Sequence, residues 1–190
     1  MEAEGRAPRA DARRNRAKVL RAAEEALAEE GMDASMRAVA RRAGVGLGTI
    51  YRHFPTREAL LQAIVAERAG ALVAEAEALR AASDPGAAFF GFFTALVENA
   101  TRQRAVADVL DRAGVDVKAG MTEVGAAMRS AIEALLRRAQ EAGAVREGLG
   151  MPEVLALLGA VCLAAERQEW GAELRERTLG VVFDGFRPRP

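Results

Sequence analysis

The chain has 190 residues, 51% of them hydrophobic, and 27 Lys+Arg balance 27 Asp+Glu for a formal net charge of zero. A single cysteine, Cys162, excludes an internal disulfide and a cysteine cluster. No charge-free apolar stretch of about 18 residues argues for a membrane span, and the N-terminus lacks the apolar region of a secretory signal. A soluble cytoplasmic protein is the expectation. The charge is unevenly spread: residues 1–57 carry 12 Lys+Arg against 8 Asp+Glu, and the remainder 15 against 19. A basic first part on an acidic body fits nucleic-acid contact by the first and a separate task for the second. Alanine and leucine dominate while β-branched and aromatic residues are sparse, so the predicted fold is all-α.

Residues 1–12 (MEAEGRAPRADA) are small, polar and Pro/Gly-containing and predict a flexible arm. A first helix follows from about Arg13 to Glu30, with Val19, Leu20, Ala23, Ala26 and Leu27 as its apolar stripe and Gly31 at its end. Residues 35–57 read SMRAVARRAGVGLGTIYRHFPTR, the pattern of two short helices around a tight turn. Ser35 suits the N-cap of the first, because its hydroxyl can accept from an orphan backbone N–H. Gly44 sits where a residue of positive φ commonly ends a helix. The second runs from Gly46 to about His53 with Ile50 and Phe54 inward. That leaves Leu47, Gly48, Thr49, Tyr51, Arg52 and His53 on or near the outer side. Such a helix-turn-helix is the geometry that enters a DNA major groove.

Pro55 breaks this helix and Thr56 can cap the next, from about Arg57 to Arg80. Ser83-Asp84-Pro85-Gly86 is a turn and boundary signal. Beyond it the spacing predicts a helix over 89–100 with Phe89, Phe92, Phe93 and Leu96 on one face, a shorter helix over 103–113, and another over 121–141. The segment from Pro152 to about Gln168 is apolar nearly all round, so it must be covered on several sides, and a second subunit would supply that cover. A last helix runs from about Glu173 to Phe186. The expected organisation is an arm (1–12), a helix-turn-helix domain (13–60) and a second helical domain that also pairs subunits (61–190).

His53 is the only histidine, so no His-based metal site or Ser/His/Asp relay can be assembled elsewhere. The glycines of Gly44–Gly48 follow a helix rather than a strand, and no P-loop Lys-Ser/Thr follows them, which argues against a nucleotide loop. No paired carboxylates stand out inside an apolar segment, so a helical enzyme running on Asp and Glu is the lesser alternative. No catalytic residue, metal or cofactor is expected. The DNA-contact candidates are Ser35, Arg37, Gly46, Leu47, Gly48, Thr49, Tyr51, Arg52, His53 and Arg57. Tyr51 and His53 would donate to phosphates, Leu47 would meet a thymine methyl, and Arg57 would work beside a helix N-terminus. Phe89, Phe92, Phe93, Leu96, Met121, Met128, Cys162 and Trp170 are the candidates for lining a hydrophobic cavity. Leu155, Leu158, Val161, Cys162, Val181 and Val182 are the candidate dimer contacts.

Residues 17–61 resemble the N-terminal domain of TetR-family transcriptional regulators. The resemblance rests on Gly31, on Ala43-Gly44-Val45, on Ile50-Tyr51-Arg52-His53-Phe54 and on Arg57-Glu58-Ala59-Leu60. It covers about a quarter of the chain. It implies a homodimer of Ω-shaped subunits whose first three helices bind double-stranded operator DNA. It also implies later helices that bind a small effector, and a last helix pair that joins its copy in a four-helix bundle. In such a protein the effector shifts the fourth helix and releases the operator. An effector-independent DNA-binding dimer is the alternative. The chain departs from the family's pattern after Val45, where a serine and a basic or polar residue are common and Gly46 and Leu47 stand here. Direct base readout is therefore expected to be sparse, with DNA shape contributing more.

Overall fold

The computed structural model describes residues 6–115 and 122–188, with side chains from residue 14 onward. Eight α-helices run through them: α1 (Arg6–Glu30), α2 (Met36–Ala43), α3 (Leu47–His53), α4 (Arg57–Leu79), α5 (Pro85–Arg112), α6 (Thr122–Glu141), α7 (Met151–Arg167) and α8 (Ala172–Phe186), with a 3-10 turn at Gly31–Asp33. The described residues contain no strand, and none of their helices is long and apolar enough to cross a membrane.

Two elements differ from the sequence expectation. Helix α1 starts at Arg6, so residues 6–12 are helical and not an unstructured arm. Pro8 lies in the first turn, where backbone N–H groups have no helical acceptor and proline costs little. Helix α5 is one continuous element where two helices were expected. Between Ala100 and Gln103 no glycine or proline interrupts it, and its polar residues bond along the helix. The Thr101 hydroxyl donates to the Val97 carbonyl at 3.1 Å and Gln103 Nε2 donates to Asn99 Oδ1 at 2.8 Å. The expected start of α6 and Met121 lie outside the described residues.

The backbone groups into two compact units, Met1–Glu67 with Ala105–Val117, and Arg68–Arg104 with Lys118–Pro190. The first unit buries Val19, Leu20, Ala23 and Ala26 of α1 against Val39 and Ala40 of α2, Ile50 of α3, and Leu60, Leu61 and Ile64 of α4. It extends past residue 60 and takes in Val106 and Leu110 of α5, which are buried in the same cluster.

The second unit centres on phenylalanines. Phe89, Phe92, Phe93 and Val97 of α5 pack with Ile132, Leu135 and Leu136 of α6, Val154 and Val161 of α7, and Leu179 and Phe186 of α8. The Phe93 and Phe186 rings meet edge-on at 5.8 Å, a favoured aromatic geometry. Asp84 caps α5, its Oδ1 accepting from the Ala87 amide at 2.9 Å. Gly86 is required by packing, since a Cβ there would lie 2.6 Å from the Ala144 Cβ. Arg138 of α6 donates to the Leu79 and Ala82 carbonyls at 3.4 and 3.1 Å, which satisfies acceptors at the end of α4.

Candidate DNA interface and effector groove

The turn between α2 and α3 is fixed at both sides by local chemistry. Ser35 Oγ accepts from the Ala38 amide at 3.1 Å and starts α2. Gly44 ends it at φ 66° and ψ 32°, a left-handed conformation that a side chain would strain. The Val45 amide then bonds back to the Ala40 carbonyl at 3.1 Å, closing the turn. Val45 packs partly buried against the first unit's core. Gly46 is the N-cap of α3 and supplies no side-chain bond.

Burial then decides which face of α3 is available. Ile50 is fully buried and Phe54 nearly so, which pins one side of the helix to the core. Tyr51, one residue on, is 47% exposed and packs on no buried cluster. A residue with this much apolar surface left in water, about a quarter turn round the helix from the core anchor Ile50, is available to a partner. Arg37, Arg41 and Arg52 are exposed. No ion pair involves them among the described residues. Thr49 and His53 are half-buried, and the His53 ring lies 6.3 Å from that of Phe54.

Two of the expected contact residues, Arg57 and Leu47, have structural engagements of their own. The Arg57 guanidinium donates to the Met32 carbonyl, which ties the first turn of α4 to the 3-10 turn that follows α1. Leu47 is half-buried and packs against the first unit's core, so only part of its side chain faces outward. Gly48 is exposed, and a Cβ added at either Gly46 or Gly48 would meet no atom within 4 Å. Arg42, in the last turn of α2, is held by Glu29 at 2.5 Å and Glu30 at 3.8 Å. Thr56 caps α4 as expected, its Oγ1 accepting from the Ala59 amide at 3.1 Å.

In the second unit, the expected cavity residues serve mainly as packing. Phe89, Phe92 and Phe93 are each 2% exposed within the aromatic core, because Phe183 and Phe186 of α8 close over them. Leu96, Met128, Cys162 and Trp170 pack partly buried around that core, and Trp170 Nε1 donates to Gln168 Oε1 at 2.9 Å. Burial, and next the Glu166 charge, push the Cys162 thiol up to about 11.

None of these residues lines the open groove of about 490 Å³ that runs between α5 and α8. Thr94 and Glu98 line it from α5, and Ala172, Arg175, Glu176, Leu179, Gly180 and Phe183 from α8. Arg175 Nη2 donates to Glu98 Oε1 at 3.1 Å across it. The groove therefore combines an apolar floor with a half-buried ion pair. Thr94 and Glu98 stand one turn apart on α5, and Glu176 and Gly180 one turn apart on α8, a spacing that does not by itself mark a site in the sequence.

The expected dimer contacts also divide. Val161 is buried in its own unit at 7% exposure, because with Val154 and Ala165 it forms the stripe of α7 that faces the core. Leu155, Leu158, Cys162 and Val182 are half-buried against that core. Val181 is 74% exposed, and Leu157, Leu163 and Leu174 are exposed with it, residues the sequence reading did not single out. No group of three or more His, Cys, Asp or Glu among the described residues could hold a metal ion.

Two family profiles match the chain. The one described as bacterial regulatory proteins, tetR family, covers residues 19–64. The one described as the C-terminal domain of SbtR-like transcriptional regulators covers residues 84–188. The crystal structure of a TetR transcription regulatory protein from Mycobacterium vanbaalenii is 38% identical with a TM-score of 0.76, over 95% of this chain and 99% of that one. The TetR transcriptional regulator SCO0520 from Streptomyces coelicolor is 34% identical with a TM-score of 0.75, over 92% and 99%. Among curated proteins, the HTH-type transcriptional regulator UidR of Escherichia coli is 41% identical over 56 residues. That match spans 29% of this chain and 29% of UidR.

Proposed function

This chain belongs to the TetR family of DNA-binding transcriptional regulators, and we propose that it is a repressor that binds operator DNA as a homodimer and releases it on binding a small organic effector. The observation that carries the reading is the exposure of Tyr51 directly beside the buried anchor Ile50. It gives α3 one face for the core and one for a partner.

In this reading α3 lies in the major groove of double-stranded DNA in the cytoplasm. Tyr51 and His53 donate to phosphates and position the helix without reading sequence. Ser35, Arg37 and Arg52 add contacts along the backbone, and Thr49 reaches a phosphate or base edge. Arg57 contributes those guanidinium donors that do not hold Met32. Gly46 and Gly48 let the helix backbone approach closely, and Leu47 presents its outer methyls to a thymine. Few groups read bases directly, so DNA deformability carries part of the specificity.

The exposed Leu157 and Leu163 of α7 and Leu174 and Val181 of α8 support pairing with a second copy, which would cover these apolar side chains. A pair of reading heads implies a pseudo-palindromic site with half-sites about one helical turn apart, or a multiple of it. The groove between α5 and α8 supports an effector with an apolar body and one polar group, which would compete for the Glu98–Arg175 pair. Helix α4 is the coupling element. A ligand can shift the DNA-binding equilibrium only by its difference in affinity for the two states, so this effector binds the DNA-free state more tightly.

The test is selection of bound duplexes from random DNA, footprinting of the winner, and a screen of small molecules for release. Footprints of two symmetric half-sites and a molecule that lowers DNA affinity support the reading. Single asymmetric half-sites exclude the dimer, and an operator complex that no groove-sized molecule weakens leaves an effector-independent regulator.

A further inference from the structure

The charged residues of the groove between α5 and α8 do not cancel. Glu98 lines it from α5, and Arg175 and Glu176 from α8, two carboxylates against one guanidinium. Arg175 is already committed to Glu98, to which its Nη2 donates at 3.1 Å. Glu176 is exposed and has no ion pair among the described residues. The N-terminus of α8 also opens on the groove at Ala172, but Glu173 in that first turn already answers the positive end of the helix dipole.

The rest of the polar lining accepts hydrogen bonds and does not donate them. The Thr94 hydroxyl gives its proton to the Phe90 carbonyl at 3.0 Å, so it offers a guest only its lone pairs. Glu98 accepts from Arg175 at Oε1 and keeps a second oxygen. Leu179 and Phe183 supply the apolar floor, and Gly180 leaves it open, since a Cβ built there would meet no atom within 4 Å.

An anion and a cation meet this lining differently. A ligand carboxylate reaches Arg175 only by taking it from Glu98, which is half-buried and would be left with an uncompensated charge. A ligand cation leaves the pair intact and adds donors where the lining has only acceptors. We infer that the groove selects an organic cation, an ammonium or guanidinium group on an apolar body, with the charge held by Glu98 and Glu176 and the body over Leu179 and Phe183. This rests on the reading of the groove as a ligand site and names the class of ligand.

The probes are three compounds of one shape, phenylbutylamine, phenylbutanol and phenylbutyrate, titrated into the full chain near neutral pH and followed by ligand-observed NMR. Wild type should bind the amine about two- to fivefold more tightly than the alcohol, the range for a partly exposed charge pair, and the carboxylate least. Glu176→Gln, at an exposed position, should shrink the preference for the amine and leave the alcohol unchanged. Glu98→Gln/Glu176→Gln leaves Arg175 as the only charge of the lining and should place the carboxylate first. Glutamine is a good helix former, and circular dichroism checks that helicity is kept. Gly180→Leu fills the open floor and should abolish binding of all three. A cation site is refuted if wild type binds the carboxylate as tightly as the amine, if Glu176→Gln keeps the full preference, or if amine binding survives Gly180→Leu. Binding of none of the three to wild type refutes it as well. If the amine shows the expected pattern yet leaves affinity for the selected operator duplex unchanged, the cation site stands and release of the operator through this groove is what falls.

Discussion

Gly48→Ala separates what α3 needs for folding from what it needs for DNA. Gly48 lies in the first turn of the helix, and a Cβ built there meets no atom within 4 Å. In the free protein the methyl therefore creates no clash and only restricts the unfolded chain, which stabilises a helical position by about 0.5–1 kcal/mol. For a chain of this size that raises the melting temperature by roughly 1–4 °C. In the complex the same methyl would stand between α3 and the groove wall. If the glycine is there to let the backbone approach, the substitution weakens binding by about 1.4 kcal/mol or more, which is tenfold. The two effects have opposite signs, so general damage cannot imitate them. Thermal melting by circular dichroism and fluorescence anisotropy on the selected duplex measure both. A higher melting temperature with unchanged affinity would refute close approach at Gly48. An unchanged or lower melting temperature would refute the open space assigned to it.

Other residues give independent readouts. Tyr51→Ala should leave the melting temperature near wild type, because the side chain is outside the core, yet weaken DNA binding by about 1–3 kcal/mol; Tyr51→Phe should cost about 1 kcal/mol if the hydroxyl donates to phosphate. Equal binding by a folded Tyr51→Phe would remove the hydroxyl from the contact set. Val181→Glu places a charge at the most exposed large apolar residue of α8, so sedimentation should show monomers with intact helicity, and a persisting dimer would move the interface away from α8. For Cys162, burial raises the folded thiol from 9.0 to about 11, so alkylation of the native protein should be slow near neutral pH and accelerate as pH approaches 11. By linkage, the stability this buried neutral thiol contributes is complete below the unfolded value near 9.0 and is lost as pH rises through the folded value. Fast alkylation of native protein at neutral pH would show that the thiol is not held in its buried form.

Most helices could be located in the sequence because local signals agree with tertiary packing. Ser35, Gly44 and Thr56 mark boundaries through their own bonds and φ values, and the structure uses each of them in that way. The misplacements occurred where polarity was taken for a break. Five of the six residues at 99–104 are polar without being helix breakers, and α5 accommodates them with bonds such as Arg104 Nη1 to the Glu166 carbonyl at 2.8 Å. Residues 6–12 hold Pro8, which signals irregular backbone in isolation but is tolerated in a first turn. Nothing in the sequence announced that Val106 and Leu110 would join the first unit's core, because that depends on where a long helix passes and not on its own pattern.

The two candidate sites differed in legibility for a geometric reason. The surface proposed to face DNA is built from one short segment, so spacing alone assigns Ile50 and Phe54 inward and Tyr51 outward, and burial agrees at these three residues. What spacing could not supply there was the competition for side chains: Arg57 reaches Met32, 25 positions earlier, and Arg42 reaches Glu29. The groove in the second unit is instead made by α5 and α8, whose facing pair Glu98 and Arg175 is separated by 77 residues. An apolar stripe read from sequence reveals which residues seek cover but not whether that cover is protein or ligand. Here Phe183 and Phe186 take that place against Phe89 and Phe93. The space that remains open lies where the helices keep their charged and small residues, Glu98, Arg175 and Gly180, because such residues cannot fill a gap between two helices as phenylalanines do.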